Sequence, residues 1–288
     1  MKGMQKIQMV VFDWAGTTVD YGSSAPAEVF SRVFTAENIH LTREEINRPM
    51  GMEKKAHIRE LLKSEAGNRQ WLKQFGRPWT EADVDAIYQK FEKELYSVVA
   101  EYSVPIDGVV ETVKKLRDAG LKIGSTTGYT SAMMERVIPG AAAGGYKADC
   151  VVTPDLTGTG RPAPYMIFAC MQKLAVYPPA AVVKVGDTVV DILEGKNAGA
   201  WSIGILTGSN LLGLTEEEYS RMDGKELKAR KEQAAQRYLE AGADLVIDNI
   251  RELPGAIEEL NRRMEETAKS GAEEPAECRE EEPYERIL

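Results

Sequence analysis

The sequence predicts an α/β protein with a parallel-sheet core and an inserted all-helical cap domain. Six short apolar segments, rich in β-branched residues, have the length and composition of buried strands. Turns and amphipathic helical patterns separate them, and strands that alternate with helices indicate a parallel sheet covered on both faces. One long interval after the first strand carries only helical patterns, which predicts the cap. The predicted strands are 8–13, 121–126, 150–153, 181–187, 201–206 and 244–248.

The chain divides into three parts by composition and pattern. Residues 1–21 and 105–266 are predicted to form the core, a Rossmann-like sheet whose ligands bind at the carboxyl ends of the strands. Residues 22–104 are predicted to form the helical cap over that edge of the sheet. Residues 267–288 are acidic and poor in apolar side chains, so we expect an acidic tail that is either frayed or disordered.

Local signals support the helical interpretation of the cap. Thr42 with Glu45 makes a capping box, and Thr80 precedes apolar residues spaced by three and four. The connections at 21–24 and 103–107 are the predicted hinges between the cap and the core.

Charge and cysteine content exclude several classes of partner. The 288-residue chain has a net charge of −9, which argues against binding to nucleic acid or to anionic membranes. No apolar run is long enough to cross a bilayer, and no secretory signal precedes Asp13. The three cysteines, Cys150, Cys170 and Cys278, are widely spaced and odd in number, which is typical of reduced thiols in a cytoplasm.

Two predicted strands end in carboxylates. Asp13 follows the first strand, Asp187 follows the fourth, and Asp191 lies one helical turn later. Two strand-end carboxylates with a backbone carbonyl form a hard oxygen site that suits Mg²⁺, with Asp191 as a partner outside the ligand set. Taken singly, Asp13 or Asp191 is also compatible with a turn or a helix cap.

Two further segments carry groups that could hold a phosphoryl group. After the second strand, a threonine hydroxyl and the Gly128 amide can cradle its oxygens. Either Thr126 or Thr127 could supply the hydroxyl, and we favour Thr127 because it precedes the glycine. Arg161, just before a helix, could stabilise the charge, although a lone arginine is more often a surface residue.

In this order the four signals resemble the motifs of the haloacid dehalogenase superfamily, from Asp13 to Asp191. The resemblance implies that Asp13 is a nucleophile that forms an aspartyl-phosphate, supported by Thr127, Arg161 and Asp187. It also implies that Asp13, the backbone carbonyl of Ala15 and Asp187 bind Mg²⁺.

One expected carboxylate is missing. Mg²⁺ phosphatases of this kind place a second aspartate two residues after the nucleophile, where it protonates the departing alcohol oxygen, but this chain has Ala15. A carbon–phosphorus bond has no leaving oxygen to protonate and needs an electron sink instead. A lysine that forms an imine with a neighbouring carbonyl supplies that sink.

The cap offers a candidate lysine. Pro49 and Gly51 interrupt the chain, and a helix with Lys54 in its first turn follows. The helix N-terminus and the nearby Lys55 and Arg59 both predict a lowered pKa for Lys54, which makes its amine nucleophilic near neutral pH. Without this context, two lysines on a helix more often form a solvated face.

Together these features closely resemble the phosphonoacetaldehyde hydrolases, or phosphonatases. The resemblance implies that Lys54 forms a Schiff base, that phosphonoacetaldehyde is cleaved to acetaldehyde and phosphate in 2-aminoethylphosphonate degradation, and that the protein is a homodimer through its cap helices. Ser23 stands where some members carry a cysteine, so only a hydroxyl is available there. The matching stretches are 12–22, 25–26, 49–51, Lys54, His57, 123–129, 160–162 and 185–188. The residues expected to bind substrate or assist are Ala15, Ser23, Met50, Gly51, His57, Thr126, Gly128 and Tyr129.

Three other functions are compatible with the same motifs. A phosphomonoesterase of this fold would turn over sugar phosphates and would be indifferent to Lys54→Ala. A haloacid dehalogenase would need no metal, and Asp187 and the Thr127-Gly128 pair argue against it. A phosphate-binding protein that has lost catalysis would not be expected to keep every other motif residue.

Overall fold

The computed structural model describes residues 6–273, which are built on a six-stranded parallel sheet. Its strands are β1 (Met9–Phe12), β2 (Lys122–Thr126), β3 (Cys150–Val152), β4 (Val182–Gly186), β5 (Trp201–Ile205) and β6 (Leu245–Ile247). They lie in the order β3-β2-β1-β4-β5-β6, and each begins and ends within one residue of its predicted bounds. The predicted α/β fold with a Rossmann-like sheet is therefore confirmed.

Helices cover both faces of the sheet and fill the interval between β1 and β2. They are α1 (Ser24–Ala36), α2 (Arg43–Asn47), α3 (Lys54–Lys63), α4 (Glu65–Phe75), α5 (Glu81–Val98), α6 (Val109–Asp118), α7 (Ser131–Ala143), α8 (Pro154–Thr157), α9 (Tyr165–Leu174), α10 (Val189–Ala198), α11 (Glu216–Arg221), α12 (Gly224–Glu240) and α13 (Leu253–Glu273). Four short 3-10 turns lie at Tyr21–Ser23, Val99–Tyr102, Pro179–Ala181 and Ile250–Glu252.

The segment predicted as the cap contains α1 to α5. The capping box of Thr42 and Glu45 forms at the start of α2, as the sequence pattern predicts. Inside this segment the Phe30 and Phe91 rings stack with their centres 4.1 Å apart, and both side chains are buried. The packing of α1 on α5 is continuous with the core beneath the sheet, because Phe30 and Phe91 belong to the same cluster of buried side chains as Phe12.

The two connections between this segment and the sheet run side by side. The first passes through Gly22, whose φ of +74° lies in the left-handed region. A Cβ atom at Gly22 would also lie 2.3 Å from the Leu214 carbonyl oxygen, so only glycine fits there. The second connection contacts the chain just before the first, because the Ile106 amide donates to the Thr18 carbonyl oxygen at 2.9 Å.

The last helix extends further than the sequence predicts. α13 continues to Glu273, so residues 267–273 are helical, whereas the sequence predicts that the tail begins at 267. Leu260 anchors the helix in the core, and the Arg262–Glu266 ion pair, 2.8 Å between nitrogen and oxygen, supports its exposed side. The remainder of the predicted tail, 274–288, lies outside the described residues. Among the described residues, no helix is both long and apolar enough to cross a membrane.

Candidate active site

Three strand ends bring the predicted site residues together. β1 is hydrogen-bonded to both β2 and β4, with Phe12 opposite Ser125 on one side and Val185 on the other. The residues just beyond these positions in β1, β2 and β4 therefore meet at one edge of the sheet. Asp13 follows β1, Thr127 follows β2 and Asp187 follows β4, and the side chains of all three are buried.

A tight turn after β1 brings Asp13 and Ala15 towards Asp187. Gly16 has a φ of +85°, and a Cβ atom there would lie 2.1 Å from Asp187 Oδ2. Only glycine therefore lets this loop approach the carboxylate. Ser23 Oγ donates to the Ala15 carbonyl oxygen at 3.0 Å and to Asp187 Oδ2 at 3.3 Å. The Ser23 hydroxyl thus touches two of the three groups predicted to bind Mg²⁺.

The carboxylates of this edge fit a divalent metal ion. Oxygen atoms of Asp13, Asp187 and Asp191 lie within 4.8 Å of one another, and all three residues are buried. Burial, together with the negative charges of Asp13 and Asp191, raises the pKa of Asp187 well above its ordinary value. Buried carboxylates this close to one another repel unless a cation lies among them, and oxygen-only donors suit a hard cation. These residues could hold such an ion.

Asp191 is bound differently from Asp13 and Asp187. Its Oδ2 accepts from the Thr188 hydroxyl at 2.5 Å and from the Thr188 amide at 3.2 Å, which caps α10. Its Oδ1 lies 2.8 Å from Arg161 Nη1 and 2.9 Å from Lys184 Nζ. Although burial alone would raise the pKa of Asp191, the two cations hold it below the ordinary value. Asp191 therefore serves as a helix cap and as an ion-pair partner.

The two candidate threonines have different surroundings. Thr127 lines the same cavity as Asp13, and its Oγ1 accepts from the Tyr129 amide at 3.1 Å. The Thr126 hydroxyl instead donates to Glu194 Oε2 at 2.9 Å and accepts from Lys184 Nζ at 2.8 Å. The geometry therefore favours Thr127 for contact with a bound phosphoryl group.

Lys54 is the first residue of α3 and is only 3% exposed. Burial lowers the pKa of its amine to about 8, and the positive charge of Arg161 also lowers it, while Asp13 acts in the opposite direction. The direction of the shift agrees with the sequence prediction, but its largest cause is burial, which the sequence prediction did not name. Lys55 pairs with Asp85 at 2.7 Å and Arg59 pairs with Glu81, and the charges that act most on Lys54 are instead those of Asp13 and Arg161.

Lys54 enters a small cavity between the helical segment and the sheet edge. The volume of the cavity is about 20 Å³, roughly the space of one water molecule. Two glycines allow the close contact around it. A Cβ atom at Gly51 would lie 2.4 Å from Thr188 Oγ1, and one at Gly128 would lie 2.7 Å from the Met52 carbonyl oxygen. The lining residues are Asp13, Ala15, Ser23, Pro26, Met50, Gly51, Lys54, Thr127, Gly128, Tyr129, Arg161 and Thr188.

Two aromatic side chains lie close to Lys54. The Tyr129 ring lines the cavity, and its hydroxyl is buried without a hydrogen-bond partner among the described residues. His57 is one turn along α3 and is fully buried, but it is not among the residues that line the cavity. Its Nε2 donates to the Ile46 carbonyl oxygen at 2.9 Å, and burial lowers its pKa well below the ordinary value. His57 is therefore a neutral ring at physiological pH.

Arg161 is fully buried and lies between carboxylates. It pairs with Asp13 through Nη2, with Asp191 through Nη1 and with Glu194 through Nε. Burial alone would lower its pKa, but these three carboxylates raise it. Sequence reasoning missed Glu194 and also Lys184, which pairs with Asp191 and Glu194. A lysine inside the apolar run 181–187 was the signal that could have indicated them.

Comparison with known proteins agrees with the fold. A family model described as haloacid dehalogenase-like hydrolase matches residues 7–199. The chain belongs to this superfamily of hydrolases. Relatives named phosphonoacetaldehyde hydrolase are 46% to 48% identical over about 90% of the chain, so within this superfamily the chain belongs to the phosphonoacetaldehyde hydrolases.

The relatives cover almost the whole chain. The phosphonoacetaldehyde hydrolase of Bacteroides fragilis is 48% identical over 261 residues, which is 91% of this chain and 99% of the relative. That of Bacillus cereus is 46% identical over 258 residues, which is 90% of this chain and 98% of the relative. The crystal structure of a phosphonoacetaldehyde hydrolase-like protein from Oleispira antarctica superposes with a TM-score of 0.88 at 34% identity, covering 91% and 95% of the two chains.

Proposed function

We propose that this protein hydrolyses the carbon–phosphorus bond of phosphonoacetaldehyde to acetaldehyde and phosphate. The observation that carries the proposal is a buried lysine with a pKa of about 8 in the same small cavity as Asp13 and Ala15. An amine with a lowered pKa is a nucleophile for an aldehyde. Alanine at position 15 is consistent with a leaving group that needs no protonation.

In the first step, the neutral amine of Lys54 attacks the aldehyde carbon, one proton is taken up from solvent and water leaves, which gives a protonated imine. A carboxylate oxygen of Asp13 then attacks phosphorus. The carbon–phosphorus bond breaks, and its electron pair moves to the imine to form an enamine on Lys54. Protonation at carbon and hydrolysis by water release acetaldehyde, and a second water releases phosphate from Asp13.

Other residues of the cavity stabilise charge and position the substrate. Arg161, the Thr127 hydroxyl and the Gly128 amide hold the phosphoryl oxygens. When bound by Asp13, the Ala15 carbonyl and Asp187, Mg²⁺ would neutralise phosphoryl charge as a Lewis acid. Ser23 orients the Ala15 carbonyl and Asp187, and the neutral His57 ring packs behind Lys54.

The size of the cavity implies that the cap must move. A space of about 20 Å³ does not admit phosphonoacetaldehyde, so the segment that carries Met50, Gly51 and Lys54 has to withdraw before substrate enters. Its return excludes water from the imine and from the nucleophile. The contacts of Gly51 and Gly128 with the opposite surface support this closed form.

The remaining predictions concern the setting of the reaction. The partner is a small phosphonate, with no nucleic acid or membrane involved. We propose that the protein acts in 2-aminoethylphosphonate degradation, in the cytoplasm and as a homodimer through the cap helices. Gel filtration with light scattering tests the dimer.

Borohydride trapping tests the imine. Wild-type protein with substrate and borohydride should gain a covalent adduct at Lys54, located by peptide mass spectrometry. Lys54→Arg should abolish both the adduct and phosphate release, whereas Lys55→Arg, which changes a neighbouring lysine paired with Asp85, should leave both intact. Normal carbon–phosphorus cleavage by folded Lys54→Arg would exclude the imine. Turnover of sugar phosphates that is indifferent to Lys54→Ala would indicate a phosphomonoesterase instead.

A further inference from the structure

Two buried charges that the mechanism above does not use lie directly behind Arg161. Lys184 is in the middle of β4, and Glu194 lies on α10, one turn after Asp191. The side chains of both are completely inaccessible to solvent. A charge removed from water is costly unless it is paired. The ion pairs of Lys184 and Glu194 therefore show which groups these two residues hold in place.

Four side chains form a closed ring of alternating charge: Arg161, Asp191, Lys184 and Glu194. Asp191 Oδ1 lies 2.8 Å from Arg161 Nη1 and 2.9 Å from Lys184 Nζ. Glu194 Oε2 lies 3.2 Å from Arg161 Nε and 3.2 Å from Lys184 Nζ. Two cations and two carboxylates cancel, so the ring has no net charge.

The ring leaves one guanidinium nitrogen directed at the nucleophile. Nη1 and Nε of Arg161 are held in the ring by ion pairs with Asp191 and Glu194 that lack hydrogen-bond geometry, and Nη2 donates to Asp13. A guanidinium is planar and rigid, so fixing two of its nitrogens also fixes the direction of the third. We propose that Lys184 and Glu194 are positioning residues that aim Arg161 Nη2 at Asp13 and at the phosphoryl group it attacks, an inference that rests on the proposed function.

A fifth side chain, that of Thr126, joins the ring to the end of β2. The Thr126 hydroxyl donates to Glu194 Oε2 and accepts from Lys184 Nζ. Thr126 is the last residue of β2 and immediately precedes Thr127. The same ring that orients Arg161 therefore also fixes the end of the strand that presents Thr127 to the cavity.

The test separates positioning from simple charge balance. Lys184→Met combined with Glu194→Gln removes one charge of each sign, so the remaining Arg161–Asp191 pair stays balanced. We expect this double variant to unfold near the wild-type temperature, with kcat/KM per folded molecule reduced about tenfold to a hundredfold, as for misplaced catalytic groups. Lys196→Met on the same helix, an exposed lysine paired with Asp244, should leave kcat/KM unchanged. Wild-type activity in the double variant would overturn the positioning role.

A second measurement applies even if the double variant is unstable. Glu194→Gln alone should lower kcat/KM in the wild type but have little further effect in an Arg161→Gln background, because the two residues act through the same group. Equal losses in both backgrounds would overturn the inference.

Calorimetric measurement of inorganic phosphate binding separates the proposed function from the positioning role. We expect Glu194→Gln to bind phosphate about tenfold more weakly, as when an interaction of about 1.4 kcal/mol is lost. Wild-type protein that releases no phosphate from phosphonoacetaldehyde would overturn the proposed function alone. Unchanged phosphate affinity in Glu194→Gln would overturn the positioning role alone.

Discussion

The Nζ atom of Lys54 lies 5.2 Å from the centre of the Tyr129 ring. Lys54 comes from the helical segment, and Tyr129 follows the end of β2, so this contact joins the two parts of the chain within one small cavity. A cation over an aromatic face is stabilised, yet burial still lowers the pKa of Lys54 to about 8. Desolvation therefore outweighs the attraction at this position.

The pKa of Lys54 predicts the pH dependence of activity. Imine formation needs the neutral amine, and the protonated fraction grows as the pH falls below about 8. We expect kcat/KM at saturating metal to rise about tenfold per pH unit well below that pKa and to level off above it. A profile that stays flat from mildly acidic to mildly alkaline pH would contradict the assignment of Lys54 as the nucleophilic amine.

Closure of the cavity depends on Gly51. With a φ of +90° and Thr188 Oγ1 at 2.4 Å from the position of a Cβ atom, Gly51→Ala should hold the cap away from the sheet edge. We expect kcat/KM to fall about a hundredfold, as for a misplaced catalytic group, with a modest loss of thermal stability.

Gly76→Ala is the matched control for Gly51. Gly76 also has a positive φ, +66°, but no atom lies within 4 Å of an added Cβ. It ends α4 and does not line the cavity. Backbone strain alone should therefore lower the unfolding temperature of Gly76→Ala while kcat/KM stays near wild type. Equal losses of activity in the two variants would show that strain, rather than blocked closure, explains the effect.

The strand ends were predictable because they depend on local pattern. An apolar, β-branched run that stops at Asp13, Thr127 or Asp187 marks the carboxyl end of a buried strand, and parallel strands bring such ends together. The sequence also indicated Lys54. With Ala15 in place of the usual aspartate, no acid is available to protonate a leaving group, so a lysine that forms an imine was expected as the electron sink.

The environment of the charges was not predictable in the same way. The lowered pKa of Lys54 comes mainly from its burial between the helical segment and the sheet edge, which is a tertiary property. Its sequence neighbours Lys55 and Arg59 pair with other residues. Lys184 stands inside an apolar run, which indicates a buried charge but does not indicate its partners, and Glu194 looks like an ordinary surface residue of a helix. Only the packing of α10 on β4 shows that both are buried and paired with Arg161.

Removal of divalent metal is expected to abolish phosphate release. Oxygens of Asp13 and Asp187 lie within 4.8 Å of one another, so an ion bound between these two carboxylates should relieve their repulsion. EDTA treatment should lower the unfolding temperature, and Mg²⁺ should restore both stability and activity. Asp187→Asn should lose both responses, whereas Asp118→Asn, at an exposed position paired with Lys114, should keep them. Full activity in EDTA would contradict the metal site.

The final prediction concerns Ala15. Ala15→Asp would introduce a carboxylate into a cavity of about 20 Å³ that already holds the Lys54 amine. An opposite charge nearby favours the protonated amine, so the pKa of Lys54 should rise and the pH profile should move to higher pH. We expect kcat/KM for the phosphonate at neutral pH to fall at least about tenfold, the equivalent of one pKa unit. Ala15→Ser adds a polar group without charge and should leave the midpoint of the profile in place, which separates charge from size. An unchanged midpoint in Ala15→Asp would contradict the expectation that a charge at position 15 changes the pKa of Lys54.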